Sequence, residues 1–231
     1  MTMKEEHQPW WSRQVDTFLF DMDGVIVDSE PLYFEIEAQS CRRYGIQLAD
    51  QDQHAFVGVT LRDMWTKLRR DYQLRPSVAE LVQEHEQHVL DMIAARESLP
   101  ITPQIRELLE RLQQGGYKIG LASSSSRALI NRILEKSALR PFFQVIVSGQ
   151  DVDQGKPAPD IFLRAAELLD AQPSRCCVIE DSAHGVQAAK SAGMTCLAYL
   201  NPNSGNQNIQ QADYKFQNFQ EIIKQIERKR A

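Results

Sequence analysis

From Thr102 onward the sequence switches between two periodicities, and this alternation constrains the fold more than any other feature of the chain. "PQIRELLERLQQ" places Ile105, Leu108, Leu109 and Leu112 at i, i+3, i+4 and i+7, the spacing of one helix face. Thr102 is expected to cap that helix, with Pro103 at its first position. Gly115-Gly116 stops it, and "YKIGLA" reads as a strand. Next come helix "RALINRILEKSA", strand "FFQVIVS", helix "APDIFLRAAELLD" and strand "CCVIED". Helix "AHGVQAAKSAGM", strand "TCLAYL" and a closing helix "FQEIIKQIERK" complete the series. Strands alternating with helices of this length imply right-handed crossovers and a parallel sheet with helices on both faces. The apolar run "TFLF" at 17–20 supplies one earlier strand.

Between Glu30 and Glu97 the texture differs. "PLYFEIEAQSCRRYG", "TLRDMWTKLRRDY" and "SVAELVQEHEQHVLDMIAAR" read as amphipathic helices with polar connections and no strand between them. The expected architecture is α/β: a Rossmann-like three-layer core with a parallel sheet, plus an inserted α-helical cap domain. The boundaries fall at an N-terminal extension over 1–16, core over 17–29, cap over 30–98 and core again over 99–231. Hinges belong near Ser29–Leu32 and Ser98–Thr102. The late run "NPNSGNQNIQQAD" reads as a plain surface loop, and Trp10 and Trp11 as a tail.

Composition narrows the partners. The 231 residues carry a net charge of −5, so no broad basic face is available to neutralise nucleic-acid or lipid phosphates. No apolar run approaches the roughly 20 residues of a membrane span. The opening "MTMKEEHQPWWSRQ" lacks the apolar core of a signal peptide. Cys41, Cys176, Cys177 and Cys196 show no metal-ligand spacing and read as buried thiols. The expectation is a cytoplasmic protein, a monomer or weak dimer, acting on a small molecule.

In parallel sheets of this kind ligands gather at the carboxyl ends of the strands. Asp21 and Asp23 follow "TFLF", and Ser123 and Ser124 follow "YKIGLA". Lys156 lies in the loop after "FFQVIVS", and Glu180 and Asp181 follow "CCVI". Clustered carboxylates are tolerable together when a hard divalent cation and a lysine lie among them, and oxygen-only ligation suits Mg²⁺. Acids, Mg²⁺, an ammonium and hydroxyl donors suit phosphoryl transfer, where positioning and charge neutralisation do most of the catalysis.

"DMDGV", "LASSS", "GKPAPDIF" and "VIEDSAHGVQAAKSAGM", in this order, resemble the four motifs of the haloacid dehalogenase superfamily. The resemblance runs from residue 17 to about 200, and the helical insertion after the first motif looks like a type-one cap. "DSEPLY" and "KPAPDIF" resemble the β-phosphoglucomutase and sugar-phosphate phosphatase branch. The resemblance implies Asp21 as nucleophile and Mg²⁺ ligand, and Asp23 as general acid and base whose carbonyl also binds the metal. It gives Ser123 and the Ser124 amide the phosphoryl oxygens, with Ser125 beside them, and Lys156 the charge between nucleophile and phosphate. Asp181 would bind Mg²⁺ directly and Glu180 through water. Dehalogenases carry no acid at the second aspartate's position, so Asp23 points to phosphate esters.

Other polar residues have plainer readings. Gly24 serves a tight turn, Asp28 stabilises the turn after the first motif, and His184 starts a helix. Gly185 and Ala189 permit close helix–sheet packing, and His54 and Trp65 pack the cap. Val57, Gly58, Thr60, Leu61 and Arg62 form the cap turn expected to set specificity.

Three functions share this pattern: a phosphatase, a β-phosphoglucomutase-like mutase, and a non-catalytic phosphate or metal binder. A mutase must hold a distal phosphate, and a basic cap residue is the natural means. The mutase pattern has an Arg where this chain has Leu61, with Arg62 one residue later. Tyr33 stands at its His, and Ser126 and Arg127 at its Lys-Asn pair. The reading is therefore a Mg²⁺-dependent phosphatase of a small sugar or polyol phosphate, with Arg62 or Arg127 available for a second anionic group.

Overall fold

The computed structural model describes residues 14–48 and 61–230. Six strands form one sheet: β1 (Thr17–Phe20), β2 (Lys118–Ser123), β3 (Val145–Ser148), β4 (Cys176–Glu180), β5 (Thr195–Tyr199) and β6 (Tyr214–Phe216). All neighbours pair in parallel, in the order β3-β2-β1-β4-β5-β6. Five of these strands are the five that the apolar runs predict. The sixth, "YKF", is too short to carry a period and is defined only by its pairing with Leu197–Tyr199. Strand order reverses at β1, so a crevice opens beyond the carboxyl ends of β1 and β4, the usual ligand site of such sheets.

The described helices are α1 (Glu30–Arg43), α2 (Leu61–Asp71), α3 (Val78–Ala95), α4 (Ile105–Gln114), α5 (Arg127–Lys136), α6 (Asp160–Leu168), α7 (Ala183–Ser191) and α8 (Phe219–Arg230). Side chains of a strand alternate between the two faces of the sheet. Leu19, Ala122, Val147, Val178 and Cys196 join one buried cluster with Ile161, Phe162 and Ala165 of α6 and Val186 and Ala189 of α7. The intervening Phe18 and Phe20 turn to the other face, where they meet Tyr117 and Phe143 edge-on. The result is a three-layer α/β core of Rossmann type. All four cysteines are buried thiols.

One cap assignment fails. Helix α4 begins at Ile105 behind Gln104, which is left-handed at φ 61°, and Thr102 makes no capping bond. The Thr102 amide is instead held by the Ile26 carbonyl at 3.1 Å, and Ile101 bridges Val27. That pairing keeps the segment extended past Pro103, so the helix starts later.

The chain divides after Asp28 and before Pro100, and Ser29–Leu99 form a compact unit of their own. Within it α3 opens with a capping box: Ser77 Oγ accepts from the Glu80 amide at 3.3 Å, and Glu80 Oε2 accepts from the Ser77 amide at 2.7 Å. Trp65 is fully buried with Cys41, Ile46, Met64, Leu68 and Leu81, and it meets Tyr44 and His85 edge-on. Trp65 is therefore core of this unit. Burial pulls His85 down to about 4, so its ring is neutral at pH 7. Arg62 is exposed in the first turn of α2. His54, Val57, Gly58 and Thr60, like Trp10 and Trp11, lie outside the described residues.

Candidate active site

β1 ends in Phe20, whose register partner on β4 is Ile179, so Asp21 emerges beside Glu180. The Asp21 amide donates to the Ile179 carbonyl at 3.0 Å, which prolongs the ladder by one bond. Asp21, Glu180 and Asp181 are all more than nine-tenths buried. Lys156, carried by the connection between β3 and α6, reaches into this group. Its Nζ donates to Asp21 Oδ1, to Glu180 Oε1 at 2.7 Å and to the Ala122 carbonyl at 3.2 Å. The same ammonium lies 4.9 Å from the Phe162 ring centroid. One cation thus ties together the ends of β1, β2 and β4.

Charge does not balance. Burial raises Asp21 well above the carboxylate range; Lys156 opposes the rise, while Glu180, Asp181 and Asp23 add to it. Asp181 is pushed up to about 7, chiefly by burial and then by Glu180, with the Ser204 hydroxyl pulling back. Burial would lower Lys156, but Asp21 and Glu180 outweigh it and keep the ammonium charged. A single buried ammonium among three buried acids leaves an excess of negative charge that a cation would relieve. Carboxylate oxygens of Asp21, Glu180 and Asp181 lie within 4.8 Å of one another. An all-oxygen set of this kind suits Mg²⁺.

Two glycines make room for these acids. A Cβ at Gly185 would fall 1.7 Å from Glu180 Oε1, and one at Gly24 would fall 2.0 Å from Asp181 Oδ2. Gly24 also sits at φ +80°, which a side chain disfavours. Gly185 therefore does more than bring helix and sheet together. Gly185→Ala should displace the Glu180 carboxylate, and for a divalent cation held by these acids the affinity would fall by about 10–100-fold, as loss of metal-site support typically causes. A calorimetric Mg²⁺ titration of the variant against wild type checks this.

Ser123, which ends β2, and the three serines that follow it have separate jobs. Ser123 is fully buried, and its Oγ accepts from the Ser125 amide at 3.1 Å, which closes the turn. Ser125 Oγ donates to Asp23 Oδ2 at 2.8 Å, so this hydroxyl orients the second aspartate. Ser124 packs its backbone where a Cβ at Gly149 would lie 2.9 Å from its carbonyl oxygen. Ser126 caps α5. Arg127 is engaged elsewhere: its guanidinium pairs with Asp151 and donates to the Ile146 carbonyl at 2.9 Å. It braces β3. His184 is exposed at the start of α7, a helix opener as its position implies.

The model of the haloacid dehalogenase-like hydrolases matches residues 18–199. The chain belongs to that family. A phosphorylated carbohydrates phosphatase of Thermotoga maritima is 34% identical to the hydrolase over 183 residues, covering 78% of this chain and 82% of its own. Hexitol phosphatase B of Escherichia coli is 28% identical over 198 residues, covering 84% and 87%. The crystal structure of β-phosphoglucomutase from Clostridium difficile shares the fold at a TM-score of 0.74 and 24% identity, covering 93% of this chain and 98% of that one.

The main surprise in the hydrolase is Asn201–Gln207, expected as plain surface. Asn201 and Ser204 are more than nine-tenths buried, and Ser204 Oγ donates to Asp181 Oδ2. Asp28 accepts from Asn201 Nδ2 at 3.2 Å and from Asn203 Nδ2 at 2.6 Å. The turn after the first motif is therefore held from a distance of more than 170 residues in sequence. The one signal available was position, since this loop also follows a strand end.

Proposed function

We propose that the hydrolase is a Mg²⁺-dependent phosphatase that cleaves a small phosphate monoester, a sugar or polyol phosphate, through an aspartyl-phosphate at Asp21. The observation that carries this reading is a buried nucleophile candidate, Asp21, with a second acid, Asp23, two residues on and separately held by Ser125. The named phosphatases among the relatives act on phosphorylated carbohydrates and hexitols, which supports the substrate class.

In this reading Asp21, Asp181, Glu180 and the Asp23 carbonyl would hold Mg²⁺, which would neutralise phosphate charge. Glu180 Oε2 already accepts from the Asp181 amide at 2.8 Å, the Ser182 amide at 2.9 Å and Ser182 Oγ at 3.0 Å. Such heavy use supports the water-mediated role expected of it. A carboxylate oxygen of Asp21 forms a bond to phosphorus as the ester oxygen leaves, and Asp23 gives that oxygen its proton. Water then attacks phosphorus, Asp23 takes back a proton, and phosphate departs with Asp21 restored. Lys156 keeps Asp21 oriented and offsets charge as the phosphoryl group arrives, with Ser123 and the Ser124 amide as the expected donors to its oxygens. The Ser29–Leu99 unit acts as a cap that excludes bulk water and selects the leaving group, Gly58, Thr60 and Arg62 being its candidate contacts.

The engagement of Arg127 with Asp151 supports hydrolysis over mutase action, since one candidate clamp for a distal phosphate is already committed. The test is a screen of phosphorylated metabolites for phosphate release, with Mg²⁺ and with EDTA, and with and without a bisphosphate primer. Isomerised product in the primed arm would overturn the phosphatase reading. Asp23→Asn should lower turnover by about 10²–10⁴-fold on alkyl phosphates, the usual worth of general acid–base catalysis. Stopped-flow with an aryl phosphate, whose leaving group needs little protonation, should show an aryl-alcohol burst followed by slow turnover.

A further inference from the structure

The loop Asn201–Gln207 grips both acid-bearing turns of the core. On one side, Ser204 Oγ donates to Asp181 Oδ2, and Gln207 Oε1 accepts from the amide of Ala183, two residues further on, at 3.0 Å. On the other, Asn201 Nδ2 donates to the Gly24 carbonyl at 2.9 Å and to Asp28. The loop is itself stiffened: Asn203 N donates to Asn201 Oδ1 at 2.8 Å, and Gln207 Nε2 donates to the Ser204 carbonyl at 2.9 Å. Gly24 presses against Asp181 Oδ2 from the first-motif side, so this carboxylate oxygen lies between a glycine that leaves room for it and a serine that bonds it.

A carboxylate at the end of a short side chain rotates freely unless something fixes one oxygen. Fixing Oδ2 fixes the plane of the group and leaves the remaining oxygen set in direction. We infer that Ser204 is a positioning residue for the cation site: it orients Asp181 so that Mg²⁺ meets a preformed ligand, with Asn201 holding the opposing turn in register. This inference rests on the reading of Asp21, Glu180 and Asp181 as the metal site. Outer partners of metal ligands typically contribute 10–100-fold in affinity.

The experiment is a calorimetric titration of the intact protein with Mg²⁺ alone. It compares wild type, Ser204→Ala, Asp181→Asn and, as a control, Asn206→Ala, an exposed neighbour in the same loop. Ser204→Ala should bind Mg²⁺ about 10–100-fold more weakly, with an unchanged melting temperature in EDTA. Asn206→Ala should match wild type. In phosphate-release assays Ser204→Ala should need correspondingly more Mg²⁺ for half-maximal rate, yet approach the wild-type kcat at saturation. A merely structural role would lower kcat and melting temperature together at every Mg²⁺ concentration, and that result would overturn the inference. Wild-type affinity in Ser204→Ala, with Asp181→Asn impaired, would also overturn it while leaving the metal site standing. If wild type takes up no Mg²⁺, or Asp181→Asn binds it normally, the metal reading fails and the inference goes with it.

Discussion

Asp21→Asn should reduce phosphate release by roughly 10⁴–10⁶-fold, the scale seen when a nucleophile is removed from a unit that acts together, and leave the protein folded. The amide cannot accept a phosphoryl group, so the two-step route closes. Folding should not suffer, because burial and the neighbouring acids already work against a charged Asp21. Replacing it with a neutral group of equal size removes one repelling charge and keeps an oxygen for Lys156. The melting temperature of Asp21→Asn without divalent cation should therefore equal or exceed that of wild type. A variant that retains turnover would show that phosphoryl transfer runs without this carboxylate. One that unfolds would show that Asp21 serves the fold first.

Lys156→Met reverses that balance. Lys156 bonds two of the three buried acids, and its side chain is only 6% exposed. Removing one partner of a buried ion pair typically costs about 3–5 kcal/mol, because the other is left uncompensated. For a chain of this size that lowers melting by on the order of 10 °C. The deficit should depend on pH in a definite direction. Asp181 sits at about 7 in the folded protein against an ordinary 3.8, so it takes up protons more readily folded than unfolded. Groups of this kind favour the fold fully below about pH 4 and withdraw that support as pH rises through 7. Lys156→Met should accordingly melt near wild type at pH 4 and furthest below it above pH 7. Excess Mg²⁺ should recover part of the loss at pH 7, since a cation among the same oxygens replaces the missing charge. Thermal melts in EDTA and in Mg²⁺ across that range would decide. A deficit independent of pH and metal would mean that the packing of the lysine's aliphatic stem is what matters.

The acids, the lysine and the first serine were legible in the sequence because each follows a strand that apolar runs mark clearly. In a parallel sheet, strand ends share one edge, so local pattern and topology together bring Asp21, Ser123, Lys156, Glu180 and Asp181 to one place. What escaped depends on approach between distant segments. Gly185 reads as a packing residue until Glu180 is seen against it, and no local pattern shows that contact. Ser204 and Asn201 lie in a run of polar residues with no period, indistinguishable from solvated surface until the turn after β5 folds back over the first motif. Thr102 failed as a cap for a similar reason: pairing of residues 26–27 with 101–102 overrode local helix-start chemistry. Ser125, expected beside phosphate oxygens, donates to Asp23, a partner that spacing alone does not reveal.

The most direct test of the account is a crystal structure of the protein grown with Mg²⁺ and beryllium fluoride, a mimic of a phosphoryl group attached to a carboxylate. Beryllium should be bonded to an oxygen of Asp21, with Mg²⁺ touching Asp21 and Asp181 and Lys156 within hydrogen-bonding reach of a fluoride. Fluoroberyllate on any other side chain, or Mg²⁺ bound away from Asp181, would contradict it.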